Sequence, residues 1–251
     1  MTSAASLIEQ ISRTVDYLRI NVGASEGEWI RCDALVADPA QLGELVRTTK
    51  DGRGTDRDDV AMSLFVQGYA FRVASLAIGA WVMGDAVIDV APGQMSIALG
   101  RHRPNAVALD EARFVAADDS LRGLHNALID GHLARLVSCA HDACRVGEAL
   151  LWGNVAAGCA SSFGAFASEL VERRIELRDR AETFFESARP EVRTAGRLVR
   201  VGDRWAWERK SCCLWYLTAS AFKCEDCSLW SDDERNARYA AALAAEEDAG
   251  E

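Results

Sequence analysis

The sequence predicts a predominantly helical α+β protein with a small antiparallel sheet, closed near its C-terminus by a compact four-cysteine unit. Three observations carry this. Apolar residues recur at helical spacing through most of the first 190 positions. Two pairs of short alternating runs are each joined by turn-forming residues. Four of the eight cysteines fall between positions 212 and 227. At 251 residues, 49% hydrophobic and 26% charged, the chain can bury a substantial core and has neither coiled-coil nor disordered composition.

Leu7, Ile8, Ile11, Val15 and Leu18 place a short amphipathic helix within residues 2–20. Asp38 reads as an N-cap before Pro39, opening a helix to about Val46, and residues 50–56 read as a charged loop. In that loop Gly52-Arg53-Gly54 lacks the third glycine and the strand–helix setting of a dinucleotide fingerprint. From Asp58 to Gly84 the residues are apolar on most faces, as in a buried helix or helix pair. The most apolar run, 73–83, is too short to span a bilayer, so no transmembrane segment is predicted.

Residues 94–100 and 106–110 read as a hairpin joined across 101–105, and helices follow over 120–145, 148–171 and 172–189, ending at Pro190. A second hairpin, 198–201 with 204–208, turns at Gly202-Asp203. Residues 231–251 are acidic and Ala-rich, a terminal helix or a loose tail. No internal repeat is visible. The chain thus divides into a mainly helical body at 1–190, a hairpin with the four-cysteine unit at 191–230, and an acidic tail at 231–251.

A net charge of -10 argues against a nucleic-acid partner, which needs a clustered basic surface. The first residues lack a basic stretch followed by an apolar one, so no secretory signal is expected and the location is read as cytoplasmic. In a reducing compartment the cysteines should be thiols or metal ligands. Cys212-Cys213 is followed after ten residues by Cys224-Glu225-Asp226-Cys227. Four thiolates suit tetrahedral zinc or an iron–sulfur centre. Adjacent ligands need a kinked backbone or a centre with more than one metal atom, which tilts the reading toward two irons without excluding zinc. Cys32, Cys139, Cys144 and Cys159 sit in apolar or helical contexts and read as buried small side chains.

The segment Arg209-Lys210-Ser211-Cys212-Cys213-Leu214-Trp215-Tyr216, followed by Cys224-Glu225-Asp226-Cys227, resembles the C-terminal signature of FhuF-like ferric iron reductases. Gly68–Ser75, Asp130-Gly131-His132-Leu133 and Leu150–Ala156 fall in that family's order and spacing, extending the resemblance over roughly residues 56–230. Thr218–Phe222 replaces a glycine-rich link, and Leu217 stands where a basic residue is common. The resemblance implies that Cys212, Cys213, Cys224 and Cys227 hold a 2Fe–2S cluster. It also implies a cytoplasmic ferric-siderophore reductase fed by an external electron donor such as a ferredoxin or reductase. Peripheral contact with a siderophore importer stays open.

Alternatives are a non-catalytic 2Fe–2S redox or iron sensor, and a zinc-stapled binding module. Seven basic residues, among them Arg189, Arg197, Arg209 and Lys210, stand against three acidic ones around the cysteines, either a basic rim for an anionic chelate or donor or a solvated hairpin and helix end paired with the acidic remainder. Arg209, Lys210, Trp215, Tyr216, His132 and Asn154 are the candidate substrate contacts. His132, flanked by Leu128 and Leu136, reads more readily as a hydrogen-bonded core histidine. Asn154 either meets substrate or bridges backbone groups. His102, His125 and His141 show no metal-site spacing.

Overall fold

The computed structural model describes residues 2–23, 27–201 and 204–249. Helix α1 (Ala4–Thr14) is capped by Ser3, which accepts from the Ser6 N–H, and buries Leu7, Ile8 and Ile11. The chain turns extended at Val15, so the rest of the predicted helix becomes a link to strand β1 (Arg19–Val22). After β2 (Ile30–Arg31) and α2 (Cys32–Ala37), Asp38 caps α3 (Pro39–Arg53) by accepting from Ala40 and Gln41 at 2.9 and 3.1 Å. Helix α3 runs past Val46 through the expected loop and stops only at Gly54, whose φ of 63° provides a left-handed cap.

Helix α4 (Asp58–Gly84) is one unbroken 27-residue element rather than a pair. Strands β3 (Met95–Gly100) and β4 (Arg103–Leu109) form the predicted hairpin with a tighter link. The turn is Arg101-His102 alone, with φ of 48° and 65°, as a two-residue primed turn requires. The sheet order is β1-β4-β3-β2, antiparallel across β2, β3 and β4. β1 adds a parallel edge, with Arg19 opposite Ala106 and Val22 opposite Leu109. Local alternation carries no sign of that pairing, because parallel neighbours are joined by long crossovers.

Helix α5 (Ser120–Leu124), a π-helical stretch His125–Leu133 and α6 (Ala134–Cys144) make the predicted long helix, widened in its middle. Then follow α7 (Glu148–Glu169), α8 (Arg174–Ser187), the single turn α9 (Pro190–Arg193) and the hairpin β5 (Gly196–Val201) with β6 (Arg204–Arg209). The predicted turn at Gly202-Asp203 lies outside the described residues. Helix α10 (Asp232–Ala249) realises the helical alternative for the tail. Ser231 and Glu234 bond each other's backbone N–H groups as a capping box, and the Tyr239 hydroxyl donates to the Trp207 carbonyl at 3.1 Å.

The core is organised on α4 and α7, which pack side by side along much of their length. Gly158 permits this approach, since a Cβ there would stand 2.9 Å from the Phe71 backbone nitrogen. By length and mean hydropathy both helices reach what a membrane span needs, so the short run 73–83 understates α4. Within the fold, however, 78% and 72% of their most apolar stretches are buried against protein. Cys32, Cys139 and Cys159 are buried among them and Cys144 is half-buried. Burial pushes the Cys32 and Cys159 thiols up to about 12.

His132 is fully buried, and its Nδ1–H donates to the Val90 carbonyl while Nε2 accepts from the Tyr69 hydroxyl at 2.7 Å. It is a core histidine with no surface for a ligand. Desolvation lowers its pKa from 6.5 to about 4. Between those values the unfolded chain takes up a proton that the folded chain refuses. Stability is therefore complete above pH 6.5 and falls toward pH 4, by about 1.4 kcal/mol per pH unit from this residue. Urea unfolding across that window should show the loss in the parent and a shallower slope in His132→Gln; equal slopes would contradict the assignment.

Candidate metal centre

The cysteine segment hangs from the end of β6 and lies on the paired helices. Directly after Cys212-Cys213 the backbone turns left-handed at Leu214, with φ of 67°, and the Leu214 N–H donates to Cys212 Sγ at 3.4 Å. The kink falls just after the adjacent pair and lets the chain fold back over Cys212. A second turn, Cys227 N–H to Cys224 O at 3.1 Å, points the other two thiols back. Trp230 braces that turn, its indole N–H donating to the Cys224 carbonyl at 3.0 Å. The result is two sulfur pairs, Cys212 with Cys227 at 4.0 Å and Cys213 with Cys224 at 3.6 Å.

Two thiolates on one tetrahedral metal, with bonds of about 2.3 Å, stand about 3.8 Å apart. Each pair therefore matches the edge of one metal's coordination shell. Four thiols with two such spacings fit a two-metal cluster that takes two thiolates on each metal. In each pair one sulfur is buried (Cys213, Cys227) and one is half-buried (Cys212, Cys224). The neighbouring sulfurs of Cys212 and Cys224, aided by Arg209, push the Cys213 thiol down, while sharing its charge pushes Cys212 and Cys224 up. Four crowded thiols cannot all ionise alone, so metal cations supply the charge that lets them do so.

A buried polar chain fixes the loop to the body. The Ser63 hydroxyl on α4 donates to the Cys213 carbonyl at 2.7 Å. Asn154 on α7 donates through Nδ2 to the Ser63 carbonyl and hydroxyl, at 2.9 and 2.8 Å. Arg209 donates from Nη2 to Asn154 Oδ1 and from Nε to the Ser211 carbonyl, both at 2.6 Å. Arg209 is 1% exposed and Asn154 is fully buried, so these two candidate substrate contacts meet each other instead of a ligand. Their role is positional. Gly153 fits the same design: a Cβ there would fall 1.8 Å from Ser211 Oγ, inside the residue that leads into Cys212.

The remaining candidates separate. Trp215 is 40% exposed and its indole donates to Ser220 Oγ at 2.8 Å; Tyr216 is half-buried and Lys210 exposed beside it. Of the two readings of the basic residues, the ion pairs favour the one in which they are committed within the fold. Arg189 pairs with Glu191 and Asp130 and lies over the Trp152 ring, Arg197 pairs with Glu208, and Arg209 is interior. Val60 and Leu64 of α4 back Cys213 in a small apolar cluster of their own. Ser63 and Gly153 were missed by sequence reasoning. Their signals are a lone hydroxyl inside an apolar run, which must find a partner, and a glycine in mid-helix, which marks a close approach.

A body of two apolar helices carrying a four-thiol loop defines a metal–thiolate protein whose ligand segment is built into the fold. Residues 63–204, more than half of the chain, match the family described as ferric iron reductase FhuF-like transporter. Residues 209–229, which include all four cysteines of the loop, match the FhuF 2Fe–2S C-terminal domain. The chain belongs to the FhuF-like family, and its cofactor is a 2Fe–2S cluster. Among curated proteins no match was found.

Proposed function

We propose that this protein is a cytoplasmic ferric-siderophore reductase, with Cys212, Cys213, Cys224 and Cys227 as the cluster ligands. The observation that carries the reading is the two sulfur pairs, each spaced for one iron, within the matched 2Fe–2S domain. When bound, the cluster supplies one electron to the Fe(III) of the chelate and regains it from an external donor such as a ferredoxin. The chain's own work is to hold the four thiols in register through Ser63, Asn154 and Arg209 and to bury Cys213 and Cys227. Cys212 and Cys224 are the half-buried members of the set.

The chelate's iron is the substrate. On gaining one electron Fe(III) becomes Fe(II), which hard oxygen donors hold weakly, so iron is released without a proton-transfer residue. Residues 191–230 act as the redox unit on the 1–190 body, and α10 braces the hairpin from behind through Tyr239 and Arg235.

Anaerobically prepared protein should contain two irons and two acid-labile sulfides per chain. After chemical reduction, a stoichiometric addition of ferric siderophore should restore the oxidised visible spectrum and yield Fe(II). A reduced sample that no ferric siderophore reoxidises would sink the reductase reading and favour a sensor.

A further inference from the structure

Arg19, Arg53, Arg72 and Arg103 gather where the end of α3, the side of α4 and the near ends of β1 and β4 meet. Arg53 closes α3, and its Nη2 lies 4.0 Å from the Cβ position of Gly68 on α4, a place that Pro104 of β4 also approaches, at 3.4 Å. Arg72 follows Gly68 by one turn along the same face of α4. Arg103 precedes Pro104, and Arg19 opens β1 opposite Ala106, three residues further along β4. We propose that this arginine group is a binding site for a phosphate-bearing anion, distinct from the cysteine centre and independent of the reductase reading.

Charge pairing sets these residues apart. The chain carries 38 acidic residues against 28 basic ones, and Arg31, Arg57, Arg113 and Arg189 each hold a carboxylate in an ion pair. Among the described residues no carboxylate pairs with Arg19, Arg53, Arg72 or Arg103. Arg72 donates from Nη1 to the Tyr17 carbonyl at 3.0 Å and lies 5.3 Å from the Phe71 ring centroid, contacts that place the guanidinium without neutralising it. Asp16 and Glu169 bear on the Tyr17 hydroxyl and form no pair with Arg72. Burial, and then the Arg103 charge, push the half-buried Arg53 guanidinium down to about 10. Burial and Arg103 lower Arg72 as well, and Arg19 adds to it. Like charges gathered this way and partly withdrawn from water cost free energy within the fold, and a bound anion offsets that cost.

The hairpin tip is built to keep the group together. Arg101 and His102 hold the left-handed turn positions that asparagine and glycine fill most easily. The His102 ring takes the space where a Cβ on Gly52 would fall, 2.0 Å away, so glycine there lets the tip seat against the end of α3 and brings Arg103 to Arg53. Arg53 Nε is sealed in without a partner and meets no ligand. Its Nη1 and Nη2 are open and make no hydrogen bond among the described residues, and Arg19 and Arg103 are exposed. A single guanidinium fork already fills one carboxylate. A phosphate group offers three oxygens and nearly two charges, which suits donors arriving from several elements.

The test uses the full chain with its cluster loaded. Inorganic pyrophosphate is the free probe, titrated calorimetrically at about 0.1 M salt, where scattered surface charge is largely screened. Vesicles of phosphatidic acid in phosphatidylcholine, against phosphatidylcholine alone, present the same group as a lipid headgroup. One of the two probes should bind saturably. Arg103→Gln should weaken that binding at least about tenfold, or about 1.4 kcal/mol, with an unchanged visible spectrum. Arg53→Gln changes a different element and should show the same loss. Arg122→Gln, which removes one exposed charge from α5, should bind as the parent does. Where pyrophosphate is the ligand, it should raise the Tm of the parent and leave that of Arg103→Gln nearly unmoved.

Saturable pyrophosphate binding assigns the site to a free phosphate, and binding to phosphatidic acid vesicles alone assigns it to a lipid headgroup. A parent protein that binds neither probe would overturn the site, as would undiminished binding by either arginine variant of the group. Equal losses in Arg122→Gln and Arg103→Gln would reduce the effect to net charge and overturn it likewise. None of these measurements involves electron transfer, so the reductase reading stands or falls separately, on reoxidation of the reduced parent by ferric siderophore.

Discussion

Cys213→Ser is expected to abolish the visible spectrum of the cluster and to leave about a tenth or less of the parent's iron and acid-labile sulfide. Cys213 is fully buried, stands 3.6 Å from Cys224, and has its carbonyl held by Ser63. A serine hydroxyl at that place fills the same small apolar cluster with Val60 and Leu64 but does not ionise, so one metal of the pair loses a thiolate. Cys159→Ser is the matched control. Cys159 is equally buried but lies within α7, so that variant should keep its iron while losing a little stability. Iron and sulfide analysis beside far-ultraviolet circular dichroism separates loss of the cluster from loss of the fold. A normal spectrum in Cys213→Ser would refute the proposed ligand set.

Arg209→Met should cost on the order of 2–4 kcal/mol of stability, because two charge-assisted hydrogen bonds disappear and leave Asn154 Oδ1 and the Ser211 carbonyl buried without their donor. The loss of a buried cation close to the Cys213 sulfur should also lower the reduction potential of the cluster that remains, since reduction adds negative charge there. Arg209→Lys should not rescue, because one ammonium cannot reproduce the forked geometry that reaches both acceptors. Adding Asn154→Leu to Arg209→Met should cost less than the sum of the single changes, since it removes the stranded acceptor. Denaturant unfolding and a redox titration read the two effects separately. Additive losses, with an unmoved potential, would show that the pair does not work as a unit.

What could be read from the chain alone follows the range of the interactions involved. The helices, both hairpins and the cysteine spacing are local patterns, and each appears close to where periodicity placed it. Arg209 is the contrary case. In sequence it sits among basic residues beside the ligands and reads as part of a solvent-facing rim. In the fold its partner is Asn154, 55 residues earlier, which is bound to Ser63, 91 residues earlier still. No local pattern encodes such a chain of contacts. The same reason hid the parallel pairing of β1 with β4. Even so the sequence held a trace: Gly153 interrupts α7 where Ser211 closes on the helix.

The anchoring of the cysteine loop has a consequence for how the protein matures. Ser63 and Asn154 precede the cysteines by 150 and about 60 residues, and a chain made from its N-terminus presents them first. The helical body can therefore assemble before any cluster ligand has left the ribosome. When the thiols arrive, the Ser63 hydroxyl that takes the Cys213 carbonyl is already held in place by Asn154, so the first half of the ligand set closes onto a prepared anchor.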